Sequence, residues 1–492
     1  MNEPADPFDL FAAAAERHGQ RPAVHEKEGE LSYSDLMGRV ERLAASLAQT
    51  GDAHPRVAIL LPQGAWAYAA MFASLMAGGM YVPLNLQMPP EKINRVLDMV
   101  DPHVIVTSAS VDSGFVGKDH AQKIILVEAL PADRLKEPRA AGELAYVIFT
   151  SGSTGEPKGV KIGRDSLAHY IHWAHRAMGI TPEDRWSQHP NIAFDLSVLD
   201  IYGALCAGAC LYPLISRRDR LMPAKAIKTY GLTIWNSVPS VVDLMRQGGQ
   251  LAPENLASLR LATFCGEPLL PSHLEALFAA KPTLAVHNTY GPTEATVSFT
   301  LLEVAADSYP DHCRASVAIG DAIPGMHLLL DGDTEGEGEI IAAGPQVARG
   351  YWNDPDQTEE KFFSTEVDGR TVSAYRTGDW GRRVGNDIYF ESRIDRQIKR
   401  AGFRLELGEI EAAIRSAGAA AACAVHAEGK IVAFLEGTDP VLCDRVAARI
   451  GDHLPAYAIP DRFELIDTLP RNANDKIDAG ALTKLLTRKA AS

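Results

Sequence analysis

Along the first 300 residues, apolar positions alternate between two periods. Leu36, Val40, Leu43 and Leu47 recur at three- and four-residue spacing between Ser34 and Gly51, which predicts an amphipathic helix with Ser34 as its N-cap. The unbroken run VAILL at 57–61 predicts a buried strand, followed by a helix over 66–76 and a strand over 81–84. The pattern continues with a helix over 91–100, a strand over 104–106, and a strand over 144–149 that ends in a Gly-rich loop. A helix over 165–178, strands over 232–235 and 261–264, a helix over 272–280 and a strand over 284–287 complete it. Strands alternating with helices require crossover connections, so the expected class is α/β, with parallel sheets flanked by helices.

From about Asp311 the pattern becomes short strands with Gly/Asp turns, densest over 331–343, which predicts a small β-barrel subdomain. After Ile394 it changes again, to a compact α+β unit. This holds a helix over 407–415, a hairpin over 421–435 turning at Glu428-Gly429, a helix over 441–453, a strand over 462–466 and a terminal helix. The expected domains are therefore a large N-terminal lobe, 1–394, and a small mobile C-terminal lobe, 395–492. Two or more cores are also what 492 residues predict.

Composition narrows the function classes. The N-terminus MNEPADPFDL is acidic and carries no apolar leader segment. The longest apolar run, 68–84, is interrupted by Ser74, Gly78-Gly79 and Pro83, and falls short of the roughly 20 residues a membrane span needs. A cytoplasmic protein without a membrane partner is expected. The six cysteines form no C-x-x-C pair and no metal-ligand spacing with histidine, which fits a reduced compartment. A net charge of −15 argues against a nucleic-acid partner.

The candidate chemistry centres on FTSGSTGEPKGV at 149–160. Glycines let backbone N–H groups turn toward a ligand, hydroxyls add donors and Lys158 adds a point charge, the composition of a phosphate-binding loop. The G-x-x-x-x-G-K-[ST] spacing of a P-loop is absent. NTYGPTE at 288–294 supplies an aromatic face, a tight turn and a carboxylate suited to hold Mg²⁺ against phosphate. Asp379 follows a tight turn in YRTGD, and SRIDRQIK at 392–399 lies where the two composition regimes meet.

These strings, in this order, resemble the motifs of the adenylate-forming (acyl-activating) superfamily. AGGMYVPLN at 77–85, GPQVARGYW at 344–352 and NDKID at 474–478 resemble it too, so the likeness covers nearly the whole chain. The resemblance implies activation of a carboxylate with ATP and Mg²⁺, with Thr150, Lys158, Glu294 and Lys476 in catalysis. Thr150, Ser151, Gly152, Ser153, Thr154, Gly155 and Lys158 would cradle the phosphates. Asn288, Thr289, Tyr290, Gly291, Pro292 and Thr293 would form the adenine site, with Tyr290 stacking and Glu294 as metal ligand. Asp379 and Arg393 would hold the ribose, and Asp395 would be the hinge. Ala401-Gly402-Phe403-Arg404 would then enter the site for a second half-reaction. Two positions depart from the pattern: Ser392 and Asp475 each stand where the family usually has Gly. The second puts an acidic neighbour beside Lys476, whose implied role is to reach the substrate carboxylate and the phosphate.

Phe194-Asp195-Leu196-Ser197 decides the subfamily. A carboxylate among apolar residues is costly unless it meets a cation, although a helix-capping role would also account for it. Amino-acid-activating members carry Asp at this position to bind the substrate ammonium, so the resemblance implies an amino acid. The remaining pocket residues would be Leu196, Leu199, Asn236, Thr263, Cys265, Thr289, Val297 and Ser298, with Lys476 at the carboxylate end. Their branched, uncharged character suits a small neutral substrate. FDLSVLDIY, FCGE and NTYGPTEATV are similar to stand-alone D-alanine–carrier-protein ligases. No Gly-Gly-x-Ser attachment site appears after Lys476, so the phosphopantetheinylated carrier protein is expected to be a separate chain. The alternatives are an amino or aryl acid–coenzyme A ligase and a catalytically silent nucleotide-binding protein. The presence of Lys476, Glu294 and Asp379 speaks against the second.

Overall fold

The computed structural model describes residues 5–490 except 28, 112–113, 115, 118–119, 121–122, 151–155, 335, 395, 401, 428 and 472–476. Two large sheets dominate. The nine-stranded sheet runs in the order Asp321–Ala322, Thr300–Val304, Ala285–Tyr290, Leu261–Phe264, Ile234–Ser237, Arg185–Gln188, Cys210–Pro213, Pro22–Glu26, Gly29–Ser32. Its interior pairs are parallel and both edges are closed by antiparallel strands. The six-stranded sheet runs Ile124–Leu126, Val104–Thr107, Arg56–Leu60, Met80–Pro83, Leu144–Thr150, Lys158–Gly163, parallel except for the last pair.

Between them lie two helices that are apolar on every side, as helices buried all round must be. In Ala65–Met76 every residue but Trp66 is buried, and Leu196–Leu205 is buried throughout. The second helix bridges the sheets. Tyr202 donates its hydroxyl to the Tyr81 hydroxyl oxygen at 3.1 Å, and Asp200 accepts the Trp186 indole N–H at 3.1 Å. Its N-terminus, with Asp195 as N-cap, is thereby fixed from both sides.

The Gly/Asp-rich region forms a five-stranded antiparallel sheet built on the fifteen-residue strand Arg370–Val384. That strand pairs with Glu337–Ala343 on one edge, and with Phe362–Val367 and then Asp387–Arg393 on the other. Beyond it, the hairpin Gln397–Arg400/Phe403–Glu406 leads into a three-stranded sheet of Ala422–Ala427, Lys430–Glu436 and Arg462–Ile466. The largest buried cluster runs from Phe8 to Ile388, and separate clusters gather residues from Leu405 onward.

Several predicted element ends move. The helix expected at Ser34 is Tyr33–Ala48, capped by Ser32, whose Oγ accepts the Asp35 N–H at 3.1 Å. Tyr33 sets this start, because its buried hydroxyl donates to the Ala209 carbonyl at 2.7 Å. The helix expected over 441–453 is Leu442–Arg449 followed by a 3₁₀ turn, with Gly451 weakening the helical continuation. The strand expected over 284–287 is Ala285–Tyr290, so Asn288, Thr289 and Tyr290 lie inside the sheet rather than beyond it.

Candidate active site

The strands Ile234–Ser237, Leu261–Phe264 and Ala285–Tyr290 are parallel neighbours, and register brings Asn236 beside Thr263 and Phe264 beside Asn288. Their carboxyl ends face the start of helix Leu196–Leu205, joined through Asn236, whose amide donates to the Leu196 carbonyl at 3.2 Å and to Asp200 at 2.7 Å. A crevice at the carboxyl ends of parallel strands is where α/β sheets bind ligands.

The expected pocket residues meet there. Thr263 donates to the Asn236 side-chain oxygen at 2.9 Å, and Thr289 donates to the Phe264 carbonyl at 3.1 Å. The Ser298 and Tyr170 hydroxyls lie 3.3 Å apart, and Cys265 is buried with Sγ 3.9 Å from the Val297 carbonyl. Leu196, Leu199 and Val297 are buried. Thr296 and Val297 hold positive φ, 55° and 71°. Two consecutive β-branched residues in that region are strained. The Thr296 hydroxyl anchors them by donating to the Gln346 carbonyl at 2.7 Å. Asp195 stands at the N-cap of its helix without a side-chain cap hydrogen bond. Burial pushes the Asp195 carboxyl above the usual range, against the opposing pull of Thr293 and Lys399.

A second carboxylate, Glu294, sits in the 3₁₀ turn Thr293–Ala295 and is wholly buried. Oε2 accepts from Arg404 at 2.8 Å and Oε1 from the Tyr351 hydroxyl at 2.9 Å, with Lys158 Nζ 3.9 Å from Oε1. Burial alone would raise this carboxyl, but Arg404 and Lys158 outweigh it and hold it down at about 2. Lys158 also lies 4.2 Å over the Tyr351 ring, and burial pulls its ammonium below the usual lysine range. Thr150 closes the stem of the Gly-rich loop, donating to the Lys158 carbonyl at 3.3 Å. Asp379 is the third carboxylate. It accepts from the Tyr290 hydroxyl at 2.5 Å and from Arg393 at 2.6 Å.

Chemically, the site can offer cations to a polyanion at Lys158 and Arg404, paired acceptors to a diol at Asp379, and a half-buried carboxyl to an ammonium at Asp195. Among the described residues no three His, Cys, Asp or Glu side chains cluster to hold a metal ion. Glu294 offers a single carboxylate. A Mg²⁺ carried in on a nucleotide would fit there, because Mg²⁺ takes most of its ligands from phosphate and water. Arg404 and the metal would then compete for the same oxygen. Tyr290 carries Lys399 at 5.8 Å from its ring centroid, so a base stacking on that face displaces Lys399.

Ser151, Gly152, Ser153, Thr154, Gly155, Asp395 and Lys476 lie outside the described residues. Tyr351, Tyr375 and Asp200 join the site without having been singled out from the sequence. Tyr351 and Tyr375 pair their hydroxyls at 3.1 Å beside Glu294, and Asp200 holds Asn236. An acidic residue five positions after Asp195 in an otherwise mostly apolar stretch was the available signal for Asp200. The segment from Gly402 reaches the site as well. Phe403 stacks on Tyr457 at 3.6 Å and meets Phe194 edge-on at 4.5 Å.

A family model described as AMP-binding enzyme matches residues 11–352. The D-alanine–D-alanyl carrier protein ligase of Bacillus licheniformis is 32% identical over 494 residues, covering 94% of this chain and 96% of that protein. Phenyloxazoline synthase MbtB of Mycobacterium tuberculosis is also 32% identical over 97% of this chain, which spans only 34% of MbtB's length. Among solved structures, the Vibrio cholerae adenylation domain AlmE in complex with glycyl-adenosine-5'-phosphate is 30% identical, covers 98% of both chains and has a TM-score of 0.83. The chain belongs to the AMP-binding enzymes, within the group that contains amino-acid adenylation domains and D-alanine–carrier-protein ligases.

Proposed function

We propose that this enzyme joins a small neutral amino acid to AMP and passes the aminoacyl group to the phosphopantetheine thiol of a separate carrier protein. Alanine-like substrates, D-alanine among them, are the expected choice, with glycine the smallest that fits. The observation that carries this reading is Asp195, a half-buried carboxyl that desolvation pushes above its usual range, with the uncharged side chains of Leu199, Val297 and Cys265 buried as the expected pocket wall. A desolvated carboxyl is costly, and a substrate ammonium offsets that cost. The glycyl adenylate in AlmE and the D-alanyl substrate in the Bacillus relative's name both favour a short side chain.

In the first half-reaction the substrate carboxylate attacks the α-phosphorus of Mg·ATP and pyrophosphate leaves. The loop from Thr150 to Gly155 and Lys158 hold the phosphates, Glu294 supplies the protein's ligand to Mg²⁺, and Lys476 adds charge at the reacting phosphate. Tyr290 carries the base, while Asp379 and Arg393 hold the ribose. In the second half-reaction the small lobe, turning about Asp395, brings Gly402 to Arg404 against the site, and a thiolate attacks the aminoacyl carbonyl, forming the C–S bond of the thioester as the acyl–oxygen bond breaks and AMP leaves. The largely apolar cleft lined by Met88, Ile93, Phe194, Leu405 and Tyr457 also takes in Asp195 and Thr293, and suits a thiol on a long uncharged arm. Six unpaired cysteines favour a reducing compartment, the cytoplasm. Thioester formation on a holo carrier protein, compared with coenzyme A, tests the acceptor. Preference for coenzyme A would make the enzyme an acyl–coenzyme A ligase.

A further inference from the structure

We propose that Glu267 is a positioning residue for the second half-reaction, its carboxylate seating the Gly402 turn of the small lobe against the substrate pocket. Glu267 follows the pocket strand Leu261–Phe264 and stands two residues after Cys265. One oxygen accepts the Ser240 N–H at 3.0 Å, and the other accepts the Gly402 N–H at 3.0 Å. Ser240 opens the helix Ser240–Gln247, directly after the strand that carries Asn236. A single side chain therefore ties two pocket strands of the large lobe to one backbone amide of the small lobe.

The chemistry explains the residue type. The two N–H donors reach different oxygens of the side chain, and a carboxylate has two acceptor oxygens where an amide has one. Bonds to an ionised acceptor are also roughly twice as strong as neutral ones. The seat is tight. Gly402 has φ +81°, and a Cβ there would lie 2.4 Å from Val238 Cγ1. The turn thus docks through backbone alone, with its amide on Glu267 and its bare Cα against Val238. Phe403 and Arg404 follow immediately, so the register set at Gly402 determines whether they reach Phe194 and Glu294. Glu267 touches no reacting atom in this arrangement and acts through the turn.

The inference rests on the two-step reading above, and its test separates the two. Hydrogen exchange is followed in the peptide spanning 397–406 of the full-length enzyme, with and without Glu267→Gln. Amino-acid-dependent pyrophosphate exchange and aminoacyl transfer to free pantetheine are measured on the same samples. The expected result is roughly tenfold loss of amide protection at the turn, the scale of one charge-assisted hydrogen bond. Transfer should fall about tenfold in kcat at unchanged pantetheine KM, and pyrophosphate exchange by much less. Gly402→Ala should reproduce the split from the small-lobe side, and the double variant should be no worse than either single one. Unchanged protection, or an equal fall in both half-reactions, overturns the role of Glu267. A wild type that exchanges no amino acid overturns the two-step reading instead, and leaves the protection measurement to judge the seat alone.

Discussion

Replacing Arg404 by Met tests how the small lobe is held. Glu294 is fully buried and its carboxyl is held at about 2 against an ordinary 4.5. That displacement corresponds to a stabilisation on the order of 3 kcal/mol. Because the carboxyl is depressed, the stabilisation is present above about pH 4.5 and is lost as the pH falls toward about 2. Removing one partner of a buried pair costs about 3–5 kcal/mol. Lys158 and the Tyr351 hydroxyl stay with Glu294, which keeps the loss at the lower end. The protein escapes the remaining cost by releasing the small lobe, so the effect should fall on the lobe equilibrium, by roughly a hundredfold, and little on the unfolding temperature. Fluorescence energy transfer between one dye on each lobe reads this directly. The wild type should show the short distance, and Arg404→Met a longer one. Free Mg²⁺ should lengthen the wild-type distance by competing for Glu294, and should leave the variant unchanged. An Arg404→Met protein with the wild-type distance, or a wild-type distance indifferent to Mg²⁺, would refute the competition.

Asp195→Asn removes a carboxyl that desolvation disfavours, so the ligand-free protein should melt at the same or higher temperature while its amino-acid KM rises more than a hundredfold. Calorimetry with and without amino acid checks both halves, and a variant that keeps wild-type KM contradicts the ammonium role. Leu199→Ala should admit larger side chains, narrowing the preference for small amino acids by about 1–3 kcal/mol in relative kcat/KM. Unaltered selectivity would move the pocket wall elsewhere. Lys476→Ala should slow adenylate formation by about a hundredfold or more, while nearly sparing transfer from supplied aminoacyl-AMP. Wild-type rates in both assays would mean that Asp475 has displaced this lysine from the chemistry.

The α/β alternation was readable because its strands are short apolar runs and its amphipathic helices carry a stripe. Of the two helices buried on all sides, Ala65–Met76 was predicted and Leu196–Leu205 was not, since the latter shows no periodicity to separate it from a strand. The hairpin Pro22–Glu26/Gly29–Ser32 went unpredicted, because its second strand has only exposed and half-buried positions. The motifs singled out Glu294, Asp379 and Asp195, and also Lys158, Tyr290, Thr293, Arg393 and Arg404 around them, but not which of these side chains pair. Arg404, expected to enter the site, lies 110 residues from Glu294, and nothing local in RLELGEIE indicates that this carboxylate is its partner. The strain at Thr296 and Val297 was also hidden, since β-branched residues ordinarily argue against positive φ. Long-range charge pairing and tertiary strain belong to the assembled fold, and local pattern does not carry them.

The central claim is that a small neutral amino acid is activated as its adenylate. Its most direct measurement is ATP–pyrophosphate exchange with the purified enzyme across the amino acids in both configurations, with glycine included. The account predicts exchange driven by glycine or by alanine of one hand, weak exchange with larger neutral side chains, and none with charged or aromatic ones. Strong exchange with an aromatic or charged amino acid would contradict the pocket. Exchange with none of them, or only with a carboxylic acid lacking an amino group, would contradict the role given to Asp195.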